Sequence, residues 1–339
     1  MTTTMAPARP PLLELRGISK QFTRRQDVAH KLAVRLGLAS PPPVVHAVQD
    51  ASLAIRAGEV IGLVGESGCG KSTLGRVAVG LHSPTRGQVA WKGTPIAELP
   101  AAERKRVQLK MQMVFQDPYA SLNPRLRVND LVGEAAVAHG LVRRREQTGF
   151  VAELLQKVGL DPAVGQRFPH QFSGGQRARV GIARALALRS EFLVCDEAVA
   201  ALDVSIQAQV INLFMKLREE LDLTYLFISH DLGVVRHISD RVVIMYLGRI
   251  VETADAETLF SRPNHPYSRA LLAEAPTLEV RKKQFIAIRG EIPSPLNPPS
   301  GCHFHPRCPH AMPRCAQEVP ALVPLEDGHL SACHLNDTP

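Results

Sequence analysis

The sequence predicts an α/β fold with a largely parallel sheet and helices on both faces, a mostly helical insertion and a small Cys/Pro-rich C-terminal extension. Three observations carry this. Short apolar runs alternate with amphipathic stretches along much of the 339 residues, the pattern of strand–helix–strand units. One such run, residues 59–64, feeds a glycine-rich turn, Gly65-Glu66-Ser67-Gly68-Cys69-Gly70-Lys71-Ser72-Thr73, at the mouth of a helix. From about Arg262 the composition shifts to proline, and four of the six cysteines fall in the last forty residues.

Taken in order, residues 12–18 and 53–55 read as short strands. Between them, residues 24–45 end in the run Pro41-Pro42-Pro43 and read as an exposed insertion. Residues 59–64 form a compact apolar strand, 71–81 a helix ended near Pro84, and 88–93 a small hairpin. Residues 117–172 carry little strand signal and are amphipathic around 131–139 and 151–158, which predicts a helical subdomain. Residues 175–188 are a second helix. Residues 192–195 and 225–229 are buried-type strands separated by a helix over 206–221. Residues 241–246 and 249–252 flank Leu247-Gly248 as a hairpin. Pro293, Pro295, Pro298 and Pro299 crowd one segment too closely for regular structure. The boundary falls near Pro263 and divides the chain into a larger α/β domain, 1–262, and an extension, 263–339.

The bulk numbers exclude several classes. The apolar fraction is 45%, and no window approaches the ~18 uninterrupted apolar residues of a membrane span. Residues 1–11 lack the charged start and apolar core of a secretory signal, so the chain reads as cytosolic. The net charge is +8. Its basic clusters, Arg24-Arg25, Arg104-Lys105-Arg106 and Arg143-Arg144-Arg145, are short and have no aromatic residues between them. They read as solvated faces rather than a nucleic-acid platform.

The motifs point to phosphate chemistry. In Gly65–Ser72 the glycines let backbone amides wrap phosphates, and the helix N-terminus adds positive potential. Lys71 is expected to reach the β- and γ-phosphates and the Ser72 hydroxyl to ligate Mg²⁺. Cys69 reads as a small loop residue. An apolar strand ends in Asp196-Glu197; Asp196 is expected at Mg²⁺, and Glu197 is placed to polarise a water. Gln116, after a short apolar stretch, and His230, at the end of the strand 225–229, are candidates to sense the γ-phosphate through Mg²⁺, water or direct contact. Ser173-Gly174-Gly175-Gln176 opens another helix. It is either an ordinary cap or a second anion site offered to another subunit.

The order Gly65–Ser72, Gln116, Ser173–Gln176, Asp196-Glu197, Ala201-Leu202-Asp203 and His230 resembles the ATP-binding subunits of ABC transporters, over roughly residues 12–255. The resemblance implies a P-loop NTPase domain and head-to-tail pairing of two such domains. Each ATP would then lie between one subunit's phosphate loop and the other's serine-glycine signature. It implies that Phe22 stacks on adenine and that the helical insertion docks transmembrane subunits. Ala198 stands where the family usually has proline, and Ala200 where it usually has serine. The lost serine hydroxyl bears on communication across the dimer; the catalytic acid Glu197 is present.

A narrower resemblance covers the extension. His265-Pro-Tyr-Ser-Arg-Ala-Leu-Leu, Ile292-Pro-Ser-Pro-Leu-Asn-Pro-Pro-Ser-Gly-Cys302 and Pro306-Arg-Cys308 are similar to the tail of di- and oligopeptide importer ATPases, a group that includes nickel, glutathione and opine importers. The stretch Ser294–Pro299 is most like their "F" subunit. This implies a peripheral subunit on the cytoplasmic face of the membrane. Its expected partners are a non-identical "D"-type ATPase, two permeases and, through them, a periplasmic or extracellular solute-binding protein. A non-transport ABC ATPase acting on DNA or ribosomes, and an exporter ATPase, are the alternatives. Cys302, Cys308, Cys315 and Cys333 supply four thiols that suit a [4Fe–4S] cluster or tetrahedral zinc. The spacing lacks the tight Cys turn of zinc knuckles, but five histidines crowd the region and leave a mixed zinc site open. Free or disulfide-bonded thiols are the third reading. The peptide-importer resemblance implies the cluster, in a structural role.

Overall fold

A computed structural model describes residues 11–23, 40, 42–117, 122–273, 290–326 and 328–337. Arg24, Arg25 and most of the expected 24–45 insertion lie outside the described residues, as do residues 118–121 of the helical segment.

The first sheet is antiparallel: β1 (Pro11–Thr23), β2 (Val44–Arg56), β4 (Arg86–Trp91) and β5 (Thr94–Pro95) lie in the order β2-β1-β4-β5. The second has eight strands. Its parallel part contains β6 (Met111–Val114), β7 (Phe192–Asp196), β8 (Thr224–Ile228), β3 (Val60–Val64) and β9 (Arg241–Tyr246), paired in that order. β3, β7 and β8 are buried at every residue, which is why they read as continuous apolar runs rather than alternating ones. Alternate residues of β7 face opposite layers. Phe192 and Val194 pack with Leu74 of α1 (Lys71–Ala78). Leu193 and Cys195 pack with Val180 of α5 (Gly174–Leu186) and Phe214 of α6 (Val204–Leu221).

α1 ends earlier than the sequence pattern suggested. Its C-cap is Val79, and Gly80 follows at φ 77°, a conformation that stops a helix before Pro84 is reached. Between α1 and α5 lie α2 (Ala101–Lys110), α3 (Val128–Ala138) and α4 (Gln147–Lys157). Val132 of α3 and Val151 and Leu155 of α4 share the core of α5, so this helical segment has no separate core of its own.

After β8, α7 (Leu232–Ile238) returns the chain to β9, and the turn at Leu247-Gly248 leads into antiparallel β10 (Arg249–Asp255). α8 (Ala256–Ser261) and α9 (Pro266–Ala273) follow. Beyond residue 290 come the short helix α10 (Pro313–Gln317), β11 (Val323–Pro324) and β12 (Leu330–Ser331). β12 pairs with β10 and β11 with β12, which extends the large sheet to the order β11-β12-β10-β9-β3-β8-β7-β6. Among the described residues no helix is long and apolar enough to cross a membrane.

Because β6, β7, β8 and β3 are neighbours running the same way, the loops after them open at one sheet edge. Those strand ends and the loops after them carry Gln116, Asp196-Glu197, His230 and the glycine-rich turn.

Candidate active site

Two glycines of the phosphate loop are required by close backbone approach. A Cβ on Gly65 would lie 2.1 Å from the Met245 carbonyl oxygen, and one on Gly70 2.1 Å from that of Ala47. Gly70 also has φ 105°, in the left-handed region. Gly68 has φ 77° and open space around it. Cys69 is 2% exposed with its thiol pushed up by burial.

Lys71 is 5% exposed. Its Nζ donates to the carbonyls of Gly65 at 2.7 Å and Glu66 at 2.9 Å, across its own loop. Ser72 Oγ donates to Asp196 Oδ1 at 2.7 Å, joining the helix after β3 to the end of β7. Asp196 is 3% exposed, and burial raises its carboxyl above the ordinary range, opposed by the Ser72 bond. A buried carboxylate beside a hydroxyl is a donor pair that a divalent cation would relieve.

Glu197 takes φ 48°, a conformation that non-glycine residues adopt only when the surroundings hold it. Here its N–H donates to the Ile228 carbonyl at 2.9 Å. Its Oε2 accepts from Gln116 Nε2 at 2.6 Å and lies 3.6 Å from His230 Nδ1. Three residues from three strand ends therefore meet at one carboxylate oxygen.

Ser173, Gly174, Gly175 and Gln176 do not join this group. Ser173 caps α5: its Oγ accepts from Gln176 N–H at 3.3 Å, and Gln176 Oε1 accepts from Ser173 N–H at 3.0 Å. This is the reciprocal capping box. A Cβ on Gly175 would meet Ile206 Cγ2 at 2.4 Å, so the glycine lets α5 approach α6. Asp203 is the exposed N-cap residue of α6, and its neighbour Val204 is 83% exposed.

The sequence model of the family described as "ABC transporter" matches residues 48–200, which include the phosphate loop, the capped turn and Asp196-Glu197. Oligopeptide transport ATP-binding protein AppF of Bacillus subtilis is 49% identical over 328 residues, 96% of this chain and 97% of that protein. The chain belongs to the ATP-binding subunits of ABC transporters.

It also carries that family's tail. The model described as "Oligopeptide/dipeptide transporter, C-terminal region" matches residues 251–315. A probable peptide ABC transporter ATP-binding protein, y4tS of Sinorhizobium fredii, is 52% identical over 294 residues, 86% of this chain and 83% of that protein. Among solved structures, cbiO1 of Clostridium perfringens, part of the ABC transporter complex cbiONQ, superposes with a TM-score of 0.61. It is 24% identical, covers 75% of this chain and 92% of its own, and supports the fold. The cassette MJ0796, solved as a dimer bound to ADP and Pi, has a TM-score of 0.59 at 25% identity and covers 72% of this chain and 98% of its own. ABC ATP-binding subunits hydrolyse ATP to drive transport, and this chain is an ATPase of that class.

In this ABC subunit Phe22 stands next to last in β1 and is 37% exposed. The ring meets His82 edge-on at 5.4 Å, and Lys20 Nζ stands 5.1 Å from its centre. The cysteines Cys302, Cys308, Cys315 and Cys333 line one narrow cavity with His305 and His310. Burial raises the thiols of Cys302, Cys308 and Cys333, and neighbouring cysteines add to each rise. Cys302 is pushed up to about 11. Among the described residues, no three His, Cys, Asp or Glu side chains are arranged to hold a single metal ion. The sequence reading missed two residues that touch the phosphate loop, Tyr267 and Arg307, both of which contact Glu66. No local pattern marks either contact. Each lies inside a motif of the peptide-importer tail, which was the only available signal.

Proposed function

We propose that this chain binds and hydrolyses MgATP as one of two ATP-binding subunits that energise import of di- or oligopeptides. The convergence of Gln116 and His230 on Glu197, next to the Ser72–Asp196 pair, carries the reading. The Gly65–Thr73 amides and the Lys71 ammonium bind the phosphates; Lys71 exchanges its loop carbonyls for phosphate oxygens. Ser72 and Asp196, with Gln116 beside them, would hold Mg²⁺. Bound there, the ion neutralises charge on the phosphate oxygens. Glu197 accepts a proton from water as the water oxygen bonds to the γ-phosphorus and the bond to the bridging oxygen breaks. His230 contacts the γ-phosphate. Phe22 stacks on adenine.

Ser173–Gln176 and Asp203 serve a different ATP, held by the partner subunit. The exposure of Ser173, Gln176, Asp203 and Val204 supports this. The partner is a non-identical relative of the same family. The helical segment 117–172 docks two permeases at the cytoplasmic face of the membrane, and a solute-binding protein acts through them. The peptide-transport names of the relatives and the match over residues 251–315 support a peptide cargo. Reconstitution with the permeases should give ATP hydrolysis stimulated by peptide-loaded binding protein. Co-purification with ribosomes or DNA instead of membrane partners would reject the transport reading.

The four C-terminal cysteines would hold a [4Fe–4S] cluster that staples the proline-rich segment. Their shared cavity suits a cationic group that takes thiolates. A single zinc needs four donors about one centre, whereas a four-iron cluster gives each thiolate its own iron. Anaerobic purification should yield iron and broad absorbance near ~400 nm, from sulfur-to-iron charge transfer. Zinc in place of iron would replace the cluster with the simpler ion.

A further inference from the structure

Glu66 occupies a position that the phosphate-loop pattern leaves open, yet each of its polar groups is held. Its N–H donates to the Tyr267 hydroxyl at 2.9 Å. Its carbonyl accepts from Lys71 Nζ at 2.9 Å. Its carboxylate takes both arms of the Arg307 guanidinium, Nη1 at 2.7 Å and Nη2 at 2.9 Å. A two-pronged guanidinium–carboxylate pair is strong and directional. Tyr267 lies 201 residues beyond Glu66 and Arg307 lies 241 beyond, so both belong to the C-terminal region.

Both partners are themselves fixed. Tyr267 is fully buried and Arg307 is 9% exposed. The rings of Tyr246, Tyr267 and Phe304 pack against one another with centroids 4.7, 5.2 and 5.4 Å apart. Arg307 Nη1 also donates to the Tyr246 hydroxyl at 3.3 Å. Tyr246 ends β9, one residue after the Met245 carbonyl that crowds Gly65. The loop therefore rests on an aromatic platform built from β9, α9 and the tail. A loop already in its binding shape loses less freedom when phosphate arrives.

We propose that Tyr267 and Arg307 are positioning residues for the nucleotide. Through Glu66 the C-terminal region holds the phosphate loop in its binding shape, and affinity for MgATP depends on that hold. The proposal rests on reading Gly65–Thr73 as the nucleotide site, which binding to the unaltered chain tests by itself.

The experiment is equilibrium binding of methylanthraniloyl-ATP with Mg²⁺ to the full chain, well below its unfolding temperature, with the unfolding temperature of each variant measured without nucleotide. Arg307→Gln should weaken binding about tenfold, the effect of losing a charged hydrogen bond. Tyr267→Phe removes one hydroxyl and keeps the ring; it should weaken binding about threefold or more. Glu66→Gln combined with Arg307→Gln should be no worse than Arg307→Gln alone. Arg307→Lys should recover only part of the loss, because it keeps the charge but not the fork. Arg314→Gln, which breaks a surface pair with Glu318 in the same tail, should bind normally. Tyr267→Phe and Arg307→Gln binding within about twofold of the unaltered chain would overturn the proposal. So would losses confined to variants whose unfolding temperature has fallen to that of the assay. No binding by the unaltered chain would instead remove the nucleotide reading itself.

Discussion

Glu197 bears both a backbone conformation that side chains avoid and a carboxylate oxygen shared with Gln116 and His230. Replacing it with glutamine keeps the shape and removes the proton acceptor. Glu197→Gln should retain MgATP binding and lower turnover by about 10²–10⁴-fold, the range of a lost general base. Phosphate release assayed beside nucleotide binding checks this, and near-normal turnover would remove Glu197 from its role. At the same scale, burial holds the His265 imidazole down to about 3, with Arg269 adding to the effect. Its Nδ1 accepts from the Tyr267 N–H at 3.0 Å, which requires the neutral ring. The folded value lies below the unfolded one of about 6.5, so the unfolded chain binds the extra proton between them. Stability from this residue is complete above about pH 6.5 and falls as pH drops toward 3, by roughly 1.4 kcal/mol per pH unit. Denaturant melts at pH 7.0 and 5.0 compare His265→Gln with the unaltered chain; an unchanged pH slope in the variant would exclude this histidine as the source. The residues that meet at Glu197 were legible because each stands in a short motif. The Glu66–Arg307 pair was not, because an ion pair between residues 241 apart leaves no periodic trace.

At the scale of elements, the buried strands and the glycine loop announced themselves, since a strand covered on both faces must be apolar throughout. β6 did not. Gln112 interrupts Met111–Val114, and four residues are too few for a period. α2 escaped for the opposite reason: among its ten residues only Val107 is buried, so its charged surface gives no stripe. The loop between β3 and α1 tolerates less than either. Gly70→Ala puts a Cβ against the Ala47 carbonyl at a left-handed φ, so it should abolish nucleotide binding and lower stability by about 1–3 kcal/mol. Calorimetry with MgATP checks the first effect and a urea melt the second; normal binding would mean that β2 shifts to make room. Ser173→Ala removes the α5 cap and should cost about 1 kcal/mol in the isolated chain. If the turn serves the partner's ATP, the assembled transporter loses far more activity than that stability loss explains.

At the scale of the whole molecule, one buried carboxylate ties the tail to the sheet. Glu252 of β10 is fully buried and accepts from the N–H groups of Asn264 at 2.7 Å and His265 at 2.9 Å. His329 Nε2 stands 2.6 Å from its Oε1. Glu252→Ala leaves all three donors unpaired and should cost about 3–5 kcal/mol. A thermal melt measures it, and a loss below about 1 kcal/mol would mean that water takes the carboxylate's place. The shift in proline and cysteine content beyond about residue 262 was legible. That the tail would continue the sheet was not, because β11 and β12 are two residues each.

Those two short strands have a consequence for solubility. An unpaired sheet edge offers a row of amides and carbonyls to any other extended chain. β12 covers β10, and the outermost strand is Val323–Pro324, in which proline has no N–H to donate. The large sheet thus finishes in a stub too short, and too poor in donors, to recruit a neighbour. A chain cut before residue 290 would lose the cover that β12 gives β10 at Glu252 and Thr253, and light scattering should show it assembling edge to edge where the intact chain stays dispersed.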